Sequence, residues 1–223
     1  LAQGVEGIGV GLSTKIMPHN FNELLDASIL YLKGKSFQLY PDFLTAGLLD
    51  VSNYNDGKRG GKIRARARII QKDKNTLCIT ELPFSKNTGD LIDSILKANE
   101  KGKIKIKKIE DNTSDEVEIN ILLANDVSPD MMIDALYAFT DCEVSISPNA
   151  CVIVGDKPMF LSVSEILKYN TDHTVSLLKK ELEIELHELQ EKWHFASLEK
   201  IFIENEIYQE IKGKTSKEEV YSA

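Results

Sequence analysis

Lys58-Arg59-Gly60-Gly61-Lys62-Ile63-Arg64-Ala65-Arg66-Ala67-Arg68 holds six cations and no acid, and its alternation decides the fold class. Strand side chains point to opposite faces in turn. Lys62, Arg64, Arg66 and Arg68 therefore share one face, and Ile63, Ala65 and Ala67 the other. A strand is read over residues 62–70. A polar turn at Asp73-Lys74-Asn75 follows, and Leu77 to Leu82 returns before Pro83 stops the pairing, which predicts a hairpin.

Downstream, Leu91, Ile92, Ile95 and Leu96 recur at helical spacing over residues 88–101, and Gly102 stands where a C-terminal cap belongs. A second hairpin is read from Lys103, Lys105 and Lys107 alternating with Ile104 and Ile106, returning through Glu116 to Ile119 across a polar loop at 110–115. Glu116 and Glu118 are the expected partners of those lysines across the hairpin. Ser128-Pro129-Asp130 opens a third helix, because serine caps and proline suits the first helical position. Strands at 144–147 and 151–154 close the region. Hairpins alternating with helices imply an α+β fold with a mixed sheet flanked by helices.

Upstream, residues 7–16 alternate small and apolar side chains and read as one strand running into Met17-Pro18-His19-Asn20. Asn20 caps a helix over 21–32, where Phe21, Leu24, Leu25, Ile29 and Leu32 recur at helical spacing, and Gly34 ends it. Residues 36–61 read as loop. From Ser162 the pattern changes: Ser162 and Glu165 match a capping box, and no glycine or proline follows until Gly213. Val175, Leu178, Leu182, Leu186, Leu189 and Trp193 make one apolar seam on a charged rod, as in a coiled-coil arm. Two ordinary helices broken near His194 are the alternative.

The formal charge is −8, yet residues 1–68 carry nine Lys and Arg against six Asp and Glu. Phosphates respond to the local field, so a basic face on an acidic chain still suits nucleic acid. The three cysteines lack metal or disulfide spacing and read as buried thiols; His187 and His194 read as exposed helix residues. Gly7, Gly9 and Gly11 lack the third glycine of a dinucleotide loop, and no hydrolase or metalloprotease motif occurs. No apolar run is long enough to span a bilayer and the first residues carry no signal peptide, so a cytoplasmic protein with no membrane partner is expected.

Two features carry chemistry. The cation row, with Lys58 and Arg59 ahead of it, can meet successive phosphates, and the flanking glycines allow close approach; the other reading is a solvated face matched by neighbouring acids. In Lys15-Ile16-Met17-Pro18-His19-Asn20, an apolar side chain ends a strand beside a cation and before a rigid turn. That arrangement fits a wedge inserted between base steps, though an isoleucine there also suits a core.

The run from Glu6 to Asn20, Glu-Gly-Ile-Gly-Val-Gly-Leu-Ser-Thr-Lys-Ile-Met-Pro-His-Asn, closely resembles the segment after the catalytic winged helix in A subunits of bacterial type IIA topoisomerases, gyrase and topoisomerase IV. Tyr40-Pro-Asp-Phe-Leu-Thr45 resembles the family's Pro-Asp-Phe-Pro-Thr, residues 61–68 its basic strand, and Glu81-Leu-Pro-Phe84 its Glu-Ile-Pro-Tyr. The resemblance implies that residues 1–20 are the end of the winged-helix region with the DNA wedge, 21–160 a tower domain, and 161–223 the start of a coiled-coil arm. It makes Ile16 the wedge, with Lys15, His19, Asn20, Lys58, Arg59, Lys62, Arg64, Arg66 and Arg68 as supporting contacts to duplex DNA.

The family's nucleophile is a tyrosine directly after an arginine, and none of the seven tyrosines here follows one. The resemblance starts downstream of that motif, so residue 1 is expected to fall after the nucleophile and Ala223 inside the arm, leaving this piece inactive alone. The parent enzyme implied would pass one duplex through a transient double-strand break as an A2B2 assembly, with an A-subunit homodimer. Mg2+ and ATP would be supplied through the B subunit, and no cofactor is expected on this piece. Met17 and Leu44 depart from family prolines, and the wording around Ile16 leans toward topoisomerase IV. A coiled-coil adaptor that binds protein rather than DNA is the alternative from another class.

Overall fold

In the computed structural model, residues 1–125 and 127–222 are described. The chain divides into a unit spanning Leu1–Tyr169 and a second from Asn170 onward. The first unit is α+β, with small sheets whose strand pairs are all antiparallel among the described residues. The expected mixed sheet is thereby corrected to small antiparallel sheets.

β1 (Val5–Ile8) and β2 (Ser13–Ile16) form a hairpin where one strand was expected. The Gly9 N–H donates to the Leu12 carbonyl at 2.8 Å, and Gly11 takes the left-handed φ of +74° that the reversal requires. α1 (Phe21–Leu32) is capped by Asn20, whose Oδ1 accepts from the N–H groups of Asn22 and Glu23. β3 (Leu48–Asn53) lies in the stretch read as loop; it is a partly exposed edge strand rich in polar residues, so its apolar signal is weak.

β4 (Lys62–Arg66) is the middle strand of a sheet ordered β3, β4, β9, where β9 is Glu143–Ile146. β5 (Arg68–Asp73) and β6 (Thr76–Glu81) form the predicted hairpin, but only from Arg68 on. The strand read over 62–70 is thus two strands in two sheets, divided at Ala67. The second sheet runs β5, β6, β8, β7, with β7 at Ile106–Asp111 and β8 at Ile119–Leu123. Glu118, expected to face the lysines at 103–107, lies 2.5 Å from Lys72 of β5. β10 (Cys151–Val154) and β11 (Lys157–Phe160) close a last hairpin.

Two apolar clusters divide the unit. One gathers Leu77, Ile79, Ile119, Ile121 and Leu123 of the second sheet against Leu91 and Ile95 of α2 (Thr88–Glu100) and Leu136 of α3 (Pro129–Phe139). The other gathers Met17, Leu24, Leu39, Phe43, Tyr54, Ile63, Ala65 and Val163. Each large aliphatic side chain so buried stabilises the fold by about 1.5–3 kcal/mol.

α4 (Val163–Glu204) is one helix of 42 residues, which replaces the alternative of two helices broken near His194. Its capping box forms as read: the Ser162 N–H donates to Glu165 Oε2 at 2.7 Å, and the Glu165 N–H to Ser162 Oγ at 3.1 Å. In the second unit the seam is exposed, with Leu182 at 64% and Trp193 at 72%. α5 (Ile207–Ile211) and α6 (Lys217–Tyr221) follow.

Gly61 is forced by packing: a Cβ there would lie 2.3 Å from the Tyr54 carbonyl oxygen. Replacing Gly61 with Ala is expected to destabilise the chain by about 1–3 kcal/mol, as overpacking does. A lowered urea midpoint would register the loss; an unmoved midpoint would show that the turn has room to spare.

Candidate nucleic-acid interface

β4 alternates as the sequence requires. Ile63 and Ala65 are 0% and 2% exposed, whereas Lys62 and Arg64 are exposed and Arg66 is half-buried on the opposite face. Arg68 follows in β5 and is also exposed. Three carboxylates meet four of the six cations. Glu143 lies 2.6 Å from Arg66 and 3.9 Å from Arg64, Glu81 lies 2.9 Å from Arg68, and Glu165 lies 3.3 Å from Lys58. Arg59 and Lys62 form no ion pair among the described residues. Acids thus face part of the row, and its cations still outnumber them.

Each guanidinium contact to a carboxylate is made through Nε. Such partly exposed pairs contribute about 0–1 kcal/mol apiece, so they orient the arginines more than they stabilise the fold. The Arg66 guanidinium also lies 5.0 Å from the centre of the Tyr137 ring. Hydrogen bonding from Arg68 holds the Glu81 carboxyl below its usual range, with the Gly47 N–H donating to it at 2.7 Å. Glu143 carries no signal in the sequence near the row, being 77 residues from Arg66. Glu81 could have been found, because hairpin register sets it opposite Arg68.

Of the amino-terminal residues, Ile16 and His19 lie inward, whereas Lys15 and Asn20 are reached by solvent. Ile16 is 7% exposed and pairs with Val5 across the hairpin, while Met17 packs in the second cluster. His19 is 3% exposed and its Nε2 lies 3.2 Å from the Tyr54 hydroxyl. Residues 1–4 lie against the same segment: the His19 N–H donates to the Ala2 carbonyl, and Gly4 lies close to the Ile16 carbonyl and Pro18. Lys15 is on the surface, bonded to Glu6 at 2.9 Å. Asn20 caps α1 and donates through Nδ2 to Asp42 at 3.1 Å.

Among the described residues no group of three or more His, Cys, Asp or Glu side chains is placed to hold a metal ion. The cysteines are free; Cys78 and Cys142 are buried, and Cys151 is half-buried. No described helix is long and apolar enough to cross a membrane.

A family described as the A subunit of DNA gyrase/topoisomerase IV matches residues 1–223. The chain belongs to this family. It is 42% identical over 203 residues to the A subunit of DNA topoisomerase 4 from Borreliella burgdorferi, covering 91% of this chain and 32% of that protein. The DNA gyrase A subunit of Chlamydia muridarum is 27% identical, covering 98% and 29%, and that of Mycobacterium bovis is 32% identical, covering 87% and 26%. The chain thus spans about a third or less of the length of these curated relatives.

Burial lowers the pKa of His19 below its ordinary value, against smaller opposing effects of the nearby Met17 and Leu1 backbone. The unfolded chain takes up a proton near pH 6.5, where the folded chain does not. Stability from this group is complete above that pH and is lost as pH falls toward the lowered folded value. Urea midpoints measured across this window are expected to fall with acidity, and His19→Gln should remove that part of the slope.

Proposed function

We propose that this chain is the DNA-gripping and DNA-bending part of a topoisomerase IV-type A subunit. Its parent would pass one duplex through a transient double-strand break, as a cytoplasmic A2B2 enzyme using Mg2+ and ATP through the B subunit. The observation that carries this reading is the outward face of β4 and the start of β5, where cations exceed the acids that meet them. The greater identity to a topoisomerase IV protein than to the gyrase proteins supports the narrower assignment.

In this reading Lys62, Arg64, Arg66 and Arg68 contact successive phosphates, with Lys58, Arg59 and Lys15 beside them. Asn20 fixes the start of α1, and His19 supports the turn from beneath. Ile16 acts as the wedge, which requires the end of β2 to turn outward when the duplex bends. Its placement at a strand end, next to Lys15 and two residues before Pro18, supports that movement. α4 begins the coiled-coil arm, its exposed seam awaiting a second helix.

Binding of a short mixed-sequence duplex is expected to weaken as salt rises. Replacing Arg64, Arg66 and Arg68 together with Ala should flatten the log–log salt slope by about 0.9 for each phosphate contact removed. An unchanged slope would take the strand out of the interface, and binding indifferent to salt would favour the protein-binding adaptor instead. In the full-length protein joined to its B partner, Ile16→Ala is expected to reduce bending of an end-labelled duplex, read by energy transfer. Undiminished bending would leave Ile16 a packing residue.

A further inference from the structure

We propose that Glu143 is a positioning residue for DNA: from behind, it holds Arg66 by a hydrogen bond and draws Arg64 by an ion-pair contact, so that their terminal N–H groups face the duplex. The proposal rests on the DNA-binding reading above. β9 starts at Glu143 and lies beside β4, with Glu143 opposite Arg66 and Ser145 opposite Arg64. One carboxylate faces both guanidinium groups by different oxygens: Oε2 accepts a hydrogen bond from Arg66 Nε at 2.6 Å, and Oε1 lies 3.9 Å from Arg64 Nε, an ion-pair contact longer than a hydrogen bond.

Two features separate positioning from simple neutralisation. The first is the atom used. A guanidinium has five N–H donors, and the carboxylate is met through Nε, so the outer edge that binds a phosphate bidentately remains available. The second is depth. The Glu143 side chain is 18% exposed, against 38% for Arg66 and 45% for Arg64, so a phosphate arriving from solvent meets the arginines first. The Tyr137 ring, 5.0 Å from the Arg66 guanidinium, adds a second support. Glu81, held by the Gly47 N–H, grips Arg68 through Nε in the same manner.

Positioning and neutralisation predict opposite signs. If Glu143 only offset positive charge, removing it would tighten DNA binding. If it orders two arginines, removing it weakens binding although the surface becomes more positive. Asp50 supplies the control: it lies opposite Arg64 on β3, but its carboxylate is bonded to Ser52 at 2.6 Å.

The test is binding of a short mixed-sequence duplex by the full chain at about 150 mM salt, where distant charges are largely screened. Glu143→Ala is expected to bind roughly three- to tenfold more weakly, the loss expected when an ordered side chain becomes mobile. Glu143→Gln, with one acceptor oxygen for two arginines, should fall between, and Asp50→Ala should bind no more weakly than the unaltered chain. With Arg64 and Arg66 both replaced by Ala, Glu143→Ala should cause no further weakening.

Tighter binding by Glu143→Ala, or equal effects of Glu143→Ala and Asp50→Ala, would overturn the proposal while leaving the DNA reading intact. An unaltered chain whose binding ignores salt would overturn both. Should Glu143→Ala not fold, NMR of the unaltered chain decides. Positioning predicts that the Arg66 Nε–H resonance stays in place when duplex is added while its terminal N–H resonances shift, and displacement of Glu143 would move the Nε–H signal instead.

Discussion

Between two hydrogen bonds at Ala67 the chain passes from one sheet to the other. The Ala67 N–H donates to the Cys142 carbonyl at 2.8 Å, and the Ala67 carbonyl accepts from the Tyr137 hydroxyl at 2.8 Å. Ala67 is fully buried in the cluster beneath the second sheet, whereas Ile63 and Ala65 belong to the other cluster. A larger side chain at this crossing would have to displace packed neighbours on both sides. The outward positions need no such accommodation, so arginines flank Ala67 with their heads in solvent and their bodies lying along the sheets. The cation row is continuous in sequence even though the strand that carries it is not.

This crossing also explains which parts of the fold the sequence discloses. Alternation at residues 62–66 reports which side chains are buried, because burial on one face is all that a period of two requires. It says nothing about which strand lies alongside. β4 pairs with β3 and β9, and the β9 partner is more than 70 residues away, so no local pattern marks it. The capping box at Ser162, the Asn20 cap and the β5–β6 turn are local, made by residues within a few positions of one another, and each is legible. β3 is not, since its polar residues are those of an edge that water reaches.

For the interface the same division applies. The cations are visible as a row, whereas the carboxylates that meet them are visible only where hairpin register brings them close. Glu81 meets that condition and Glu143 does not. The wedge segment illustrates the opposite case: Pro18 marks a turn after β2 and Lys15 a polar neighbour, but no local pattern shows that Ile16 and His19 are buried. The groups that meet this segment are remote in sequence or small: Tyr54 lies against the His19 ring, the His19 N–H donates to Ala2, and Gly4 lies close to the Ile16 carbonyl.

The start of α4 is tied to the loop that opens the cation row. Glu165 completes the capping box with Ser162 and pairs with Lys58, while Asp56 accepts from the Ser164 N–H and hydroxyl at 3.3 and 3.0 Å. Asn55, Asp56 and Gly57 all adopt left-handed φ, and Gly57 is bare because a Cβ would come within 2.7 Å of Val163. Strained turn residues of this kind persist only where surrounding contacts hold them. Here the contacts are those of the helix start itself, whose unpaired N–H groups need acceptors and whose dipole favours nearby carboxylates. The strain in the loop and the unsatisfied end of the helix therefore offset one another, and the first turn of α4 and the base of the cation row are held as one piece.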